Sequence, residues 1–215
     1  MSKIALETDH NALLLWFLKT FPDIVKSMKD TAHNFDEVEN INVYHTEGGI
    51  WTHSLMVFKN SQIFSYDNHY AKWAALLHDI GKPLSREEVP ERKIARFLGH
   101  EGVSAFMVAD ILNKTNMSVE DKLHIFKIVA LHGTLFRFMK TDGTIDPDVL
   151  EMYKGNKKLL EDVIQQVRND SIGRFFDPEA VKDNDLSFIK MLPEHFNDVA
   201  SQIEDVETTD CEYRP

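Results

Sequence analysis

The chain has 215 residues, 43% hydrophobic and 27% charged, the composition of an ordinary globular protein rather than a disordered or fibrous one. Its longest apolar run is the seven residues Ala12 to Leu18, far short of the roughly 20 that span a bilayer, so no membrane association is expected. The net charge of −11 argues against a general electrostatic grip on long nucleic acid, because holding a phosphate backbone needs clustered Lys and Arg.

In chain order, Asp9 can cap a helix that carries Leu13, Leu14, Phe17, Leu18 and Phe21 on one side. Pro22 suits the first turn of a second helix with Ile24, Val25 and Met28 inward. A third is predicted over 50–64, with Leu55, Val57, Phe58 and Ile63 near helical spacing. A fourth runs over 69–79 with Trp73, Ala74, Leu76 and Leu77, and Gly81 and Pro83 stop it. Residues 84–99 break the periodicity and read as a loop or a short β-hairpin, centred on 86–98. Helical spacing resumes over 101–113 and again over 118–132, where Ser118 and Asp121 form a capping-box-like start. A looser stretch holds Gly143 and Pro147. A long helix over 156–175 then turns Leu159, Leu160, Val163, Ile164 and Val167 inward, and a last one is predicted over 185–203.

The expected fold is therefore all-α, a single domain over 1–203 with no internal repeat or low-complexity linker. Residues 204–215 are expected to form a flexible acidic tail, crowded with Glu204, Asp205, Glu207, Asp210 and Glu212. The single cysteine, Cys211, falls in that tail and cannot form an internal disulfide. With no secretion-signal layout at the start, a cytoplasmic location is expected.

Ten histidines and a His-Asp dipeptide mean little alone. Their setting means more. The segment AALLHDIGKP places His78 and Asp79 at the end of an apolar helix, just before a glycine break. Burying an imidazole and a carboxylate there is unfavourable unless each finds a partner. Adjacent residues point about 100° apart on a helix, so one helix cannot surround a metal with them. Further ligands must come from other helices, and polar groups interrupt apolar faces at His53, in WTHSLMVF, and at Asp170, in DVIQQVRND. The plain alternatives are a structural hydrogen-bonded pair for His78 and Asp79 and capped or surface-paired residues for His53 and Asp170.

These pieces resemble the HD superfamily of metal-dependent phosphohydrolases, and within it the HD domain of bacterial CCA-adding tRNA nucleotidyltransferases. The matching segments are YHTEGGIWTHS at 44–54, LLHDIGKP at 76–83, FLGHEG at 97–102 and RNDSIGR at 168–174. No nucleotidyltransferase domain is detected, so CCA addition is not carried over. The resemblance implies a first metal site of His53, His78, Asp79 and Asp170. His100 and His132 stand where binuclear members hold a second ion, which Asp79 would bridge; one ion or two remain open, and both histidines could equally be satisfied helix ends. The ligand types suit several divalent metals, so Ni, Mn, Co, Mg, Zn and Fe are not distinguished.

A divalent ion would lower the pKa of bound water and polarise phosphoryl oxygens. Lys82 is placed to meet a substrate phosphate, with Arg137 and Arg174 as further candidates. His45 and Glu47 could contact the leaving group or the phosphate, and Asp79 could orient the attacking water. His10, His33, His69, His124 and His195 are read as non-ligands, and Trp16, Trp51 and Trp73 as core.

The resemblance implies hydrolysis of a phosphoester on a nucleotide or RNA end, as a 2′,3′-cyclic phosphodiesterase, 2′-nucleotidase or phosphatase. A small nucleotide or an RNA terminus is the expected partner, and oligomeric state is not legible. Three alternatives stay open: a 5′-deoxynucleotidase, a di-iron oxygenase such as myo-inositol oxygenase, and a non-catalytic module with a structural metal and a partner-recruiting tail.

Overall fold

Asp9 opens the first helix by accepting a hydrogen bond from the Ala12 N–H, satisfying one of the donors that a helix start leaves bare. The computed structural model describes residues 3–36, 41–134, 147–153, 155–175, 177 and 179. Helix α1 (His10–Thr20) buries Leu13 and Phe17, and α2 (Pro22–Lys29) buries Val25 and Met28. Pro22 sits at the first turn of α2, where a missing N–H breaks no helical bond.

Helix α3 (Ile50–Phe64) buries a stripe of Ile50, Trp51, His53, Ser54, Val57, Phe58 and Ser61. Of the apolar residues at helical spacing, Val57 and Phe58 are buried and Leu55 is half-buried against the core, while Ile63 is 58% exposed. Polar His53, Ser54 and Ser61 share the buried face with them.

Helix α4 (His69–Leu77) is capped by the Asn68 side chain, and every residue from Ala71 to Leu77 is buried. A helix buried all round belongs at the centre of a bundle, and α4 packs against α3, α7 and α9. Lys72 is the exception in its composition. Its ammonium donates to the Thr8 carbonyl while the Trp73 indole N–H donates to the Leu6 carbonyl at 3.1 Å, strapping the N-terminal segment over α4.

After His78–Gly81 comes the single turn α5 (Lys82–Ser85). Gly81 permits this close passage: a Cβ there would lie 2.4 Å from the Ser104 amide nitrogen. The predicted hairpin follows as β1 (Glu87–Val89) and β2 (Ile94–Arg96), antiparallel with Glu87 opposite Arg96 and Val89 opposite Ile94. Helix α6 (His100–Leu112) pairs with α7 (Val119–Leu131), whose cap is the expected box: the Ser118 hydroxyl accepts from the Asp121 N–H and donates to its carboxylate.

The short α8 (Pro147–Met152) precedes α9 (Lys157–Ile172), which begins at an Asn156 cap and buries all five apolar residues assigned to its core. It stops at Ile172 rather than 175, because Gly173 ends it pressed against α3; a Cβ there would lie 2.5 Å from Val57 Cγ2. Among the described residues the fold is all-α with one two-stranded hairpin, and no described helix is long and apolar enough to cross a membrane. The helix expected over 185–203, the tail over 204–215 with Cys211, Gly143, His195 and Arg137 lie outside the described residues.

Candidate metal centre

Five helices end on, or aim side chains at, one buried carboxylate. Asp79, immediately after α4, is 1% exposed. Its Oδ2 lies 3.6 Å from His53 Nε2 of α3 and 3.2 Å from His78 Nε2. Its Oδ1 lies 3.3 Å from His100 Nε2, at the start of α6, and 3.9 Å from His132 Nε2, just past α7. Asp170 of α9 closes the other side, with Oδ1 2.9 Å from His53 Nε2 and 3.9 Å from His78 Nε2. Two groups of potential ligands thus share Asp79: His53 and His78 on one side, His100 and His132 on the other.

The far nitrogens of these rings explain their orientation. His78, His100 and His132 each set Nδ1 against a backbone carbonyl three residues earlier, on Ala75, Phe97 and Val129 respectively, at 3.0, 2.8 and 2.6 Å. A carbonyl only accepts, so Nδ1 carries the proton and each Nε2 keeps a lone pair facing Asp79. Local backbone geometry thus fixes three imidazole tautomers. For His53 the Glu47 carboxylate lies beside Nδ1, with Oε1 at 3.1 Å, an ion-pair distance rather than an aligned hydrogen bond.

Could these residues hold a cation? The buried atoms His53 Nε2, His78 Nε2, Asp79 Oδ1 and Asp170 Oδ1 have no hydrogen-bond partner. Leaving so many buried polar atoms unpaired is costly, and a mixed set of imidazole nitrogens and carboxylate oxygens suits a divalent transition metal. The residues fit the group. Burial opposes the charge on Asp79, but His78 and Lys82 outweigh it and hold the carboxyl well below its ordinary range. Asp170 behaves alike, with burial overcome by Arg174 and His53. Burial, with His78 and His100 adding to it, pushes His132 down to about 4, which keeps its nitrogen free of a second proton.

Around this centre the remaining expected residues take definite places. Lys82 Nζ is 2.7 Å from Asp79 Oδ2 and 3.0 Å from His33 Nε2. The Arg174 guanidinium donates to Asp170 Oδ2 at 2.7 Å, so it orients a potential ligand. His45 donates through Nδ1 to Glu47 Oε1 at 2.7 Å, and the other Glu47 oxygen accepts the Phe175 N–H at 2.9 Å. The Glu47 side chain is 1% exposed and held beside His45 and His53. Burial pushes His45 down to about 3, which leaves it a poor proton donor near neutral pH.

His33 is the residue that sequence reasoning passed over. It is 1% exposed, stacks on His45 with ring centroids 4.0 Å apart, and carries the second contact of Lys82. Its segment has no helical spacing and none of the motif letters, so nothing local marked it. His124, read as a non-ligand, lies away from the centre, with Nε2 2.7 Å from Asp162 Oδ2. Asn68 and Lys158 complete that separate polar network. His10 and His69 also stand apart, beside Ser61 and Lys72. Trp51 and Trp73 are buried and Trp16 packs against the core.

An all-helical bundle that gathers four imidazoles and two carboxylates defines a candidate metal-binding helical domain. The HD domain profile matches residues 50–169, more than half of the chain, and the chain belongs to the HD-domain family. Members of that family are generally metal-dependent hydrolases. The A-adding tRNA nucleotidyltransferase of Deinococcus radiodurans is 27% identical over 95 residues, covering 40% of this chain and 22% of that protein. The Multifunctional CCA protein of Paraburkholderia phymatum is 29% identical over 98 residues, covering 46% of this chain and 22% of that protein. The chain therefore spans only about a fifth of the length of these relatives.

Proposed function

We propose that this protein is a metal-dependent phosphohydrolase acting on a small nucleotide or an RNA terminus, as a 2′,3′-cyclic phosphodiesterase, 2′-nucleotidase or phosphatase. The observation that carries the reading is the pair of ligand groups sharing Asp79, with the tautomers of three imidazoles fixed by backbone carbonyls. His53, His78, Asp79 and Asp170 would hold one ion, and Asp79, His100 and His132 a second. When bound, such ions supply Lewis-acid activation of water and of a phosphoryl oxygen.

The protein's own residues do the rest. Asp79 is ionised at neutral pH and belongs to both ligand groups, where it would orient an attacking water. Lys82 is a cation fixed beside that carboxylate by His33, placed to offset charge that grows on the phosphoryl group. Glu47 and Arg174 hold His53 and Asp170 in the orientation the centre needs. The nucleotide or RNA-end substrate is supported by the tRNA enzymes that share this domain, and the acidity of the chain favours a terminus or mononucleotide over a long RNA.

Purified protein loaded in turn with Mn, Ni, Co, Mg, Zn or Fe should turn over 2′,3′-cyclic nucleotides, 2′-phosphates or 5′-deoxynucleotides. The first two substrates support the proposal in its stated form, and preference for the third redirects it to a 5′-nucleotidase. No turnover of any by folded, metal-loaded protein refutes it.

A further inference from the structure

We infer that the cavity beside His33 receives the nucleobase of a nucleotide whose phosphate lies at the metal centre, an inference that rests on the phosphohydrolase reading. The cavity holds about 510 Å³ between the loop ahead of α3 and the hairpin. Pockets for small ligands fall in the range of about 300–1,000 Å³ and are mostly apolar with a few polar groups. Here Phe35, Ile41, Val43, Tyr44, Ile94 and Ala95 supply the apolar wall. Asn42 and Lys93 supply the polar rim.

Three features tie the cavity to a base. First, it adjoins the centre through one side chain. His33 forms part of its wall and also contacts Lys82, which is itself 2.7 Å from Asp79. Phe97 packs edge-on against the His33 ring, and Ala95 stands two residues earlier in the extended chain, about 7 Å away at the rise of a strand. A ligand that spans from the centre to this wall has an anionic end at the centre and an apolar body against the wall, as a nucleotide does.

Second, three large apolar side chains of the wall are left open to water: Ile41 is 50% exposed, and Tyr44 and Ile94 are each 37% exposed. Apolar groups gathered in the open around a single cavity mark a place where something binds. Third, the wall offers what a base uses. Phe35 and Tyr44 are aromatic rings of the kind on which bases stack with little regard to sequence. The Asn42 side-chain Oδ1 accepts the Tyr44 N–H at 3.0 Å, which holds the amide at the cavity rim as a donor group for a base edge.

The test compares hydrolysis-resistant ligands by calorimetry on metal-loaded protein: adenosine and cytidine 2′-methylenephosphonates against methylphosphonate, which lacks a base. Wild-type protein should bind the nucleoside phosphonates at least tenfold more tightly. Ala95→Trp, which fills the cavity, and Tyr44→Ala, which removes a ring, should each cut that advantage below threefold. Circular dichroism checks the fold of each, and either folded variant suffices. Equal affinity of the ligands in wild-type protein, or an advantage that survives in a folded variant, overturns the pocket. Turnover assayed separately distinguishes the two claims. A base advantage without any phosphoester hydrolysis upholds the pocket and refutes the enzyme; hydrolysis without a base advantage does the reverse.

Discussion

Replacing Glu47 with Gln changes one atom type and little volume, yet the contacts around it leave no neutral solution. In the native protein both carboxylate oxygens face donors: His45 Nδ1 at 2.7 Å and His53 Nδ1 at 3.1 Å on one side, the Phe175 N–H at 2.9 Å on the other. A Gln amide has one acceptor and one donor end. Whichever way it turns, its NH₂ opposes an N–H donor. Leaving a buried donor unsatisfied costs about 1–3 kcal/mol, and for a chain of this size each kcal/mol lowers Tm by about 2–4 °C. Weakening the support of a metal-binding imidazole typically costs about 10–100-fold in metal affinity. Calorimetric metal titration and thermal melting of Glu47→Gln should therefore show both effects. A variant with wild-type affinity and wild-type Tm would refute the positioning role given to Glu47.

Further expectations concern the rest of the bundle. Burial pushes His132 and His10 to about 4, His45 to about 3 and His33 well below its ordinary value, while the unfolded chain protonates them near 6.5. A lowered folded pKa gives stability that is complete above the unfolded value and lost as pH falls through the folded one. For His53 burial also lowers the pKa, but Asp170 and Glu47 outweigh it, so its contribution is present below 6.5 and lost as pH rises. With four groups against one, metal-free protein should unfold at lower urea at pH 5 than at pH 7; equal midpoints would contradict this balance. Gly81→Ala should destabilise by about 1–3 kcal/mol, because its Cβ would collide with the Ser104 backbone; an unchanged melt would show that the turn can move aside. Asp162→Asn weakens contacts to His124, Asn68 and Lys158 and should cost about 1.5–3 kcal/mol. Metal affinity in that variant should stay at the wild-type level, and a change in it would link the two clusters.

Local signals were read where a single turn decides the outcome. The Asp9 cap, the Ser118–Asp121 box and the interruption that became the hairpin all depend on residues within a few positions of each other. The candidate centre was legible for a different reason: polar groups on apolar helices carry a desolvation cost that only a shared partner removes, and His53, His78, Asp79 and Asp170 do converge. The same rule misled in α3. Val57 and Phe58 do face inward, but Ile63 is exposed while His53, Ser54 and Ser61 are buried, because a site can hold polar residues inside and leave an isoleucine outside. His33 was illegible because its place depends on tertiary contacts. Its N–H meets the Gly48 carbonyl at 2.7 Å, a pairing across a loop that no periodicity announces. The positioning roles of Glu47 and Arg174 were likewise hidden, since only the folded chain shows which neighbours they meet.

Anomalous diffraction from crystals grown with manganese puts the account at greatest risk. Peaks ligated by His53, His78, Asp79 and Asp170, and by Asp79, His100 and His132, are the predicted result. Protein that takes up manganese elsewhere, or crystals in which these six side chains face each other with no peak among them, would contradict it.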